Sequence, residues 1–252
     1  TVFSWGNEID PKFANYEDNN SKRSGTMEVG SFLPNPWGFF DMHGNVNEWA
    51  GYFAKPGQRG GSWRTHSKFL RSANRFHNGP EPRNNNLGLR LCLKREPNIK
   101  HVSMPVEGKP WTVPSIGLEM NWCEPGTFMM GSPESELGRG EDEAQRKVTL
   151  TKGFYLGKYE VTQEEYEKVM RKNPSTFKGK KLPVEMVNWN DAMEFCIKLT
   201  ELERMEGWVP KGWNYTLPTE AQWEYACRAG TATAYSWGKE INLKMANYNK
   251  SK

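Results

Sequence analysis

The sequence has no long apolar run, no Cys-x-x-Cys motif and no large excess of charge of either sign. No stretch approaches the ~18 apolar residues of a membrane-spanning helix, so we expect no membrane insertion. The 34 basic side chains nearly balance the 30 acidic ones, and no run of Lys or Arg stands out, so we expect no nucleic-acid partner. Without Cys-x-x-Cys, zinc ribbons and thioredoxin-like redox chemistry are excluded.

The four cysteines are far apart, and three of them have apolar neighbours: Cys92, Cys196 and Cys227. This setting favours buried, unpaired thiols that pack as small apolar side chains. A disulfide stays open as the alternative, so the cysteines do not identify a cellular compartment.

Glycine, proline and tryptophan are abundant instead, with 24, 16 and 11 residues. A helical bundle does not need so much Gly and Pro. The composition therefore predicts a chain of irregular loops held in place by buried aromatic side chains.

Two segments 232 positions apart resemble each other, TVFSWGNEIDPKFANY from Thr1 to Tyr16 and TAYSWGKEINLKMANY from Thr233 to Tyr248. Ten of the sixteen residues are identical. The offset is the length of a whole domain rather than of a solenoid repeat. We therefore predict the C-terminal half of one domain in residues 1–95, a linker in 96–117 and the N-terminal half of a similar domain in 118–252.

Helical signals occur only in the second half of the chain. VTQEEYEKVM carries a capping box of Thr162 and Glu165, and PTEAQWEYACRAG carries one of Thr219 and Gln222, followed by Gly230 as a stop. Apolar residues at helical spacing in NDAMEFCIKLTEL predict a third helix, for which we expect Asn190 as the cap.

The first half reads as turns and short strands. In NLGLRLCL the leucines alternate with other residues, which predicts one half-buried strand with Leu87, Leu89, Leu91 and Leu93 on one face. The predicted fold class is therefore α+β, with the helices segregated from a small antiparallel sheet.

Nine linked segments together resemble the formylglycine-generating enzyme, or sulfatase-modifying factor, family. They are EPGTFMMGSPESE, YEVTQEEYEKVM, LPVEMVNWNDAMEFC, LPTEAQWEYACRAG, YSWG, ANY, WGFFDMHGNVNEW, RGGSW and NNNLGLRLCL. The resemblance implies a loop-rich variant of the C-type lectin fold. The family has the two halves in the opposite order, so it also implies a circularly permuted or a domain-swapped arrangement.

The resemblance implies copper chemistry that this sequence does not match. Family enzymes oxidise a sulfatase cysteine with copper and oxygen, and two thiols shortly after GGS hold the cuprous ion. The matching positions here are Thr65 and Leu70, which cannot replace thiolate ligands of Cu(I). Four scattered histidines do not form the three-His iron site of a related branch: His43, His66, His77 and His101. We therefore expect no copper.

A structural Ca²⁺ site is implied in DMHGNVNEW. By resemblance its ligands are the side chains of Asp41 and Glu48 and the backbone carbonyls of Gly44 and Val46. Carboxylate and carbonyl oxygens are the ligands that a hard cation takes. The alternative is a hydrogen-bonded turn without an ion.

The loop from Arg64 to Asn78 is the candidate ligand surface. Its frame also resembles the variable proteins of diversity-generating retroelements, whose intervening positions contact ligands. Polar and aromatic side chains on a scaffolded loop are typical of binding surfaces, and the alternative is an ordinary exposed loop. The candidate ligand-binding residues are Arg64, Thr65, His66, Phe69, Asn74, Phe76, His77 and Asn78.

Three functions remain open at this point. The first is a non-catalytic module that binds a protein or peptide, the second is a formylglycine-generating oxidase with a divergent site, and the third is a structural repeat unit. The missing thiols favour the first. Neither half should fold alone, and we expect the halves to pair within one chain, with self-association by domain swapping as the alternative. The two copies of the duplicated segment should then compete for one place in the fold.

Overall fold

The computed structural model describes residues 25–52, 55–95, 105–209, 211–239 and 246–248. Within these ranges the chain forms ten β-strands, three α-helices and a short 3-10 helix, Ser67–Phe69. The strands are β1 (Asn47–Tyr52), β2 (Lys55–Arg59), β3 (Leu87–Gly88), β4 (Cys92–Arg95), β5 (Trp111–Thr112), β6 (Glu119–Cys123), β7 (Gly126–Met130), β8 (Arg146–Leu150), β9 (Phe154–Gly157) and β10 (Trp213–Thr216). The helices are α1 (Gln163–Met170), α2 (Trp189–Met205) and α3 (Glu220–Arg228).

The largest sheet combines strands from both halves of the chain. Its order is β10–β4–β9–β6–β5, and every pairing is antiparallel. Strand β4 lies between β9 and β10, with Leu93 opposite both Tyr155 and Tyr215. A segment that precedes the predicted linker is therefore hydrogen-bonded on both edges to segments that follow it.

Two smaller sheets complete the described strands. The order of the first is β2–β1–β3, in which β1 and β2 are antiparallel and β1 and β3 are parallel. The second is the pair β7–β8. The prediction of one small antiparallel sheet was thus too simple, although the mixed α and β composition with few helices is as expected.

The NLGLRLCL segment differs from its prediction. It forms two short strands, β3 and β4, that belong to different sheets. It is not half-buried, because Arg90 and Cys92 are as inaccessible as the leucines on either side. Alternation of polar and apolar residues predicts a half-buried strand only when the polar side chains face solvent. Here the arginine is buried instead, because it has carboxylate and carbonyl partners inside the protein.

Helices α1 and α3 begin where their capping boxes predict. The hydroxyl of Thr162 accepts from the backbone of Glu165, and that of Thr219 accepts from the backbone of Gln222. In both boxes the backbone N–H of the cap residue also donates to the side chain three residues later, Glu165 or Gln222. Helix α3 ends at Arg228, and the two residues after it, Ala229 and Gly230, have positive φ angles of 46° and 84°.

Helix α2 has a different cap from the predicted one. Asn188 caps it and forms a reciprocal box with Asp191, whereas Asn190 lies exposed inside the first turn. The sequence contains the signal for this cap, because Asn188 is followed three residues later by the acidic Asp191, which is the spacing of a capping box.

The main core lies between the largest sheet and helices α1 and α2. Phe195 and Leu199 of α2 pack there, and the Tyr166 ring of α1 stacks on Phe195 at 5.3 Å. Residues 111–116, at the end of the predicted linker, contribute β5 and the buried Val113 and Ile116.

Trp223 of α3 belongs to a second apolar cluster, with Cys92, Cys123 and Cys227. All four cysteines are buried and free, as three of the local contexts predicted. Among the described residues, no helix is both long and apolar enough to cross a membrane.

Candidate functional site

The loop from Asp41 to Glu48 turns sharply and leads into β1. Asp41, Gly44 and Asn45 adopt positive φ angles of 55°, 100° and 61°. Such backbone brings Asp41 and Glu48 into one buried environment although they are seven residues apart.

Glu48 is bound by the buried Arg90, for which the sequence carried no motif. Arg90 Nε lies 3.0 Å from both carboxylate oxygens of Glu48, and Nη2 lies 2.6 Å from Oε1. The indole Nε1 of Trp223 donates to Oε2 at 2.7 Å. Both charged side chains are inaccessible to solvent. Breaking such a pair costs about 3–5 kcal/mol, because the remaining charge is left buried and uncompensated.

Two further acids lie beside this ion pair. One oxygen of Asp41 accepts from the backbone of Gly30, and the other is buried without a hydrogen-bond partner. Glu160 accepts from the Asn45 side chain at 2.7 Å and from the backbone of Val46 at 3.2 Å. Burial raises the pKa of Asp41 to about 6, and burial with repulsion from Asp41 and Glu48 raises the pKa of Glu160 well above its usual value.

This arrangement matches the predicted calcium ligands only in part. Asp41 has a free oxygen for a cation, but the carboxylate of Glu48 is already paired with Arg90 and accepts a hydrogen bond from Trp223. Within the described ranges, no group of three or more His, Cys, Asp or Glu side chains is arranged to hold a metal ion. The calcium site stays a prediction.

Seven of the eight candidate ligand residues are at least partly exposed. Arg64, His77 and Asn78 are exposed, and four others are partly exposed: Thr65, His66, Phe69 and Phe76. Asn74 differs, because only 5% of it is accessible and its amide nitrogen is buried without a partner. Asn74 therefore lies under this surface rather than on it.

Several contacts within the loop and with β2 hold its backbone in place. The rings of Phe69 and Phe76 meet edge to face at 6.0 Å, and Phe76 pairs with Gln58 through two backbone hydrogen bonds. The His66 side chain caps the 3-10 helix by accepting from the backbone of Lys68. These contacts hold the loop against β2.

The two positions that should hold copper ligands are engaged otherwise. The Thr65 hydroxyl is bonded to the backbone and hydroxyl of Ser62 at 3.0 and 2.9 Å. Leu70 is fully buried and packs among Ala234, Tyr235, Ala246 and Tyr248. These two side chains do not fit a cuprous ion, since neither offers a soft donor.

Buried arginines brace the loop from beneath. Arg71 forms a bidentate pair with Glu143 at 2.6 and 2.8 Å and reaches Glu136 at 2.7 Å. Its partner acids lie in the segment between β7 and β8, so this segment and the candidate surface are joined. Arg59 of β2 donates to the Ser72 carbonyl at 2.8 Å and lies 2.7 Å from Glu224 of α3.

A buried Cys227–His43 pair lies close behind the loop. The Cys227 sulfur is 3.5 Å from His43 Nε2 and 3.4 Å from the Ser72 hydroxyl. Burial lowers the pKa of His43 to about 4 and raises the pKa of Cys227 to about 12. Both groups are therefore neutral near pH 7, so this pair is not the thiolate–imidazolium ion pair of a cysteine nucleophile.

The family model described as sulfatase-modifying factor enzyme 1-like domain matches residues 1–95 and 112–251. The chain belongs to this family. Its match falls in two stretches on either side of residues 96–111. Membership of the sulfatase-modifying factor family accounts for the motifs quoted above and for a fold with few helices and several sheets.

Curated relatives of this family carry different names. Chaperone protein LppX of Paenibacillus barcinonensis is 38% identical over 112 residues, which cover 34% of this chain and 40% of the relative. The formylglycine-generating enzyme of Mus musculus is 23% identical over 176 residues, covering 49% and 43%. The solved structure of PvdO from Pseudomonas aeruginosa is similar with a TM-score of 0.43 and 28% identity, covering 51% and 54%. The chain thus spans less than half the length of these two curated relatives.

Proposed function

We propose that this member of the sulfatase-modifying factor family is a non-catalytic module that presents the Arg64–Asn78 loop to a protein or peptide. The observation that carries the proposal is that Thr65 and Leu70 occupy the positions of the family's two thiols and are engaged in other contacts. One is held by Ser62 and the other is buried in a core cluster, where family enzymes are expected to have a thiol pair. The loop is left as a surface without the family's reactive metal.

The loop has the physical properties of a binding surface. Phe69 and Phe76 offer aromatic area, while Arg64, His77 and Asn78 offer exposed polar groups. Such residues bind well when their scaffold is rigid, because less conformational freedom is lost on association. The ion pairs beneath the loop supply that rigidity.

The oxidase alternative is tested by chemistry. We expect no stoichiometric binding of Cu(I) and no oxygen consumption with a sulfatase-type cysteine peptide, whereas a formylglycine-generating enzyme assayed in parallel should show both. Turnover at an enzyme-like rate would overturn the proposal.

The binding role is tested with a displayed random-peptide library selected on the wild-type protein. Selected peptides should lose at least tenfold in affinity for His77→Ala and for Phe76→Ala, since both side chains lie on the loop. Glu201→Ala, an exposed position on α2, is the control and should bind as wild type. Peptides that bind all variants equally, or a library that yields no binder, would contradict the role of this loop and favour the structural repeat unit.

A structural Ca²⁺ at Asp41, Gly44, Val46 and Glu48 is a separate proposal. Its support is the buried Asp41 oxygen without a partner and the three carboxylates, Asp41, Glu48 and Glu160, around Arg90. Calcium should raise the melting temperature relative to EGTA, because an ion that binds only the folded state stabilises it. Asp41→Ala should abolish the rise, while Asp142→Ala, at a half-exposed position, should keep it. Identical melting of wild type in calcium and in EGTA would remove the ion.

The chain order is also part of the proposal. We propose a circularly permuted, C-type-lectin-like arrangement in which the two halves of the chain form one domain. The support is the position of β4 between β9 and β10, together with the family match in two stretches.

A further inference from the structure

The C-terminal copy of the duplicated segment is docked against the candidate site. His43 Nδ1 donates to the carbonyl of Leu70 at 2.6 Å, which leaves Nε2 as an acceptor. The backbone N–H of Ser236 donates to that nitrogen at 3.3 Å. The Trp237 ring meets the His43 ring edge to face at 4.5 Å. One buried imidazole thus recognises the Ser-Trp pair.

A second anchor lies at the end of the same copy. The carbonyl of Asn247 accepts from the backbone of Asn45 at 2.9 Å, and its side chain donates to the carbonyl of Gly25 at 3.3 Å. A Cβ on Gly44 would lie 2.1 Å from the Asn247 carbonyl oxygen, so only glycine permits this approach. Ala246 and Tyr248 are buried on either side and pack with Leu70.

We define the duplicate dock as the surface formed by Gly25, His43, Gly44, Asn45 and Leu70. The residues that occupy it have their counterparts in the N-terminal copy of the segment. Ser236 and Trp237 correspond to Ser4 and Trp5, and these residues are identical.

The second anchor is repeated in the same way. Ala246, Asn247 and Tyr248 correspond to Ala14, Asn15 and Tyr16, again without a change. Tyr235 is replaced by Phe3, which keeps the ring and loses the hydroxyl that donates to Ser67 at 3.0 Å.

We propose that the duplicate dock is an exchange site between copies of this chain, in which Thr1–Tyr16 of a second copy replaces Thr233–Tyr248. The six substitutions between the copies spare all five of these anchoring residues, so the second copy brings the same recognition chemistry. The proposal is independent of the ligand surface, because it rests on the contacts of the duplicated segment alone.

The resident copy has an advantage in an isolated molecule. It follows α3 after a few residues, and this short tether gives it an effective concentration on the order of millimolar, which the segment of a separate chain lacks. A second copy therefore displaces it when the resident is weakened or when chains are held close together. After one exchange, the chain that received a segment still has its own N-terminal copy, and the chain that gave one still has its duplicate dock. Further chains can therefore add head to tail.

The test compares three full-length variants by analytical ultracentrifugation over a concentration series. Trp237→Ala weakens the resident copy only, Trp5→Ala weakens the incoming copy only, and the third variant carries both changes. We expect Trp237→Ala to form dimers or larger species at concentrations where wild type and Trp5→Ala are monomers, and the double variant to return to monomer. A folded, monomeric Trp237→Ala would overturn exchange between copies, and so would association of the double variant to the same degree.

A synthetic peptide covers the case in which Trp237→Ala does not fold. The peptide TVFSWGNEIDPKFANY should raise the melting temperature of Trp237→Ala or restore its cooperative unfolding. The same peptide with Ala at the position of Trp5 should bind at least tenfold more weakly. Equal effects of the two peptides, or no effect of either, would overturn the proposal.

Discussion

At the scale of single residues, His43 and Gly44 join the two halves of the chain. His43 contacts both Cys227 and Ser236, and Gly44 leaves room for the carbonyl of Asn247. Each of these contacts spans about three quarters of the sequence, from residues in the forties to residues beyond 226. Substitutions at two adjacent positions should therefore report on the packing of the whole domain.

Gly44→Ala should be strongly destabilising. The new Cβ would meet backbone at 2.1 Å in a left-handed conformation, and we expect a loss of about 3–5 kcal/mol in the free energy of unfolding. Gly79→Ala is the matched control, since Gly79 has φ 71° and nothing within 4 Å of a Cβ. It should lose only the conformational cost of about 1 kcal/mol. Chemical denaturation measures the free energy of unfolding of both variants. Equal losses for Gly44→Ala and Gly79→Ala would contradict the close approach of Asn247 to Gly44.

His43 should make stability depend on pH. Its pKa is lowered to about 4 in the folded state from an ordinary value of 6.5, so the unfolded state takes up a proton first as the pH falls. Its contribution is complete above pH 6.5 and is lost on acidification towards pH 4. Between pH 7 and pH 5 we expect wild type to lose about 2 kcal/mol more than His43→Gln.

The relevant measurement is the difference in the free energy of unfolding between wild type and His43→Gln, because the titration of Asp41 changes stability in the opposite direction in both proteins. Its raised pKa removes stability as the pH rises from 3.8 to about 6. An NMR titration in which the His43 ring protonates near pH 6.5 would contradict the buried, neutral imidazole.

At the scale of elements, local signals located the helices well and the strands poorly. The capping boxes of α1 and α3 were read correctly because cap and partner are three residues apart. The strands β3 and β4 were read as one, because alternation does not reveal that Leu89–Leu91 passes from one sheet to another. A strand is completed by partners that are remote in sequence, so its limits depend on them.

The cap of α2 provides an element-scale prediction. Asn188→Ala should destabilise the protein by about 1 kcal/mol, because the helix loses the side chain that accepts from Asp191. Asn190→Ala, two residues further on and exposed, should be neutral or slightly stabilising, since Ala has the higher helix propensity. Thermal unfolding of the two variants decides between the caps, and a larger loss for Asn190→Ala would favour the cap expected from the sequence.

At the scale of the whole molecule, the central fact is that β4 is inserted between β9 and β10. The sheet closes within one chain, and the cluster around Leu70 is completed by Tyr235, Ala246 and Tyr248 of the C-terminal copy. The N-terminal copy, Thr1–Tyr16, lies outside the described residues.

We therefore expect wild type to have the mass of a single chain at low micromolar concentration. The physical reason is that closing one chain on itself costs only a few kcal/mol of loop entropy and needs no second molecule. Light scattering measures the mass, and a dimer that persists on dilution would contradict pairing of the halves within one chain.

The sequence by itself determined the family, the duplicated segment, the helix caps at Thr162 and Thr219 and the absence of thiols at positions 65 and 70. These features depend on residue identity or on spacings of a few residues, so no partner from elsewhere in the chain is needed to recognise them.

Only the tertiary structure decided that Glu48 is neutralised by Arg90, that Asn74 is buried and that β1 and β3 pair in parallel. Each of these facts joins groups more than ten residues apart or depends on what covers a side chain. Such contacts are determined by how all the elements pack together, because a buried charge or amide takes whichever partner the completed core brings within reach.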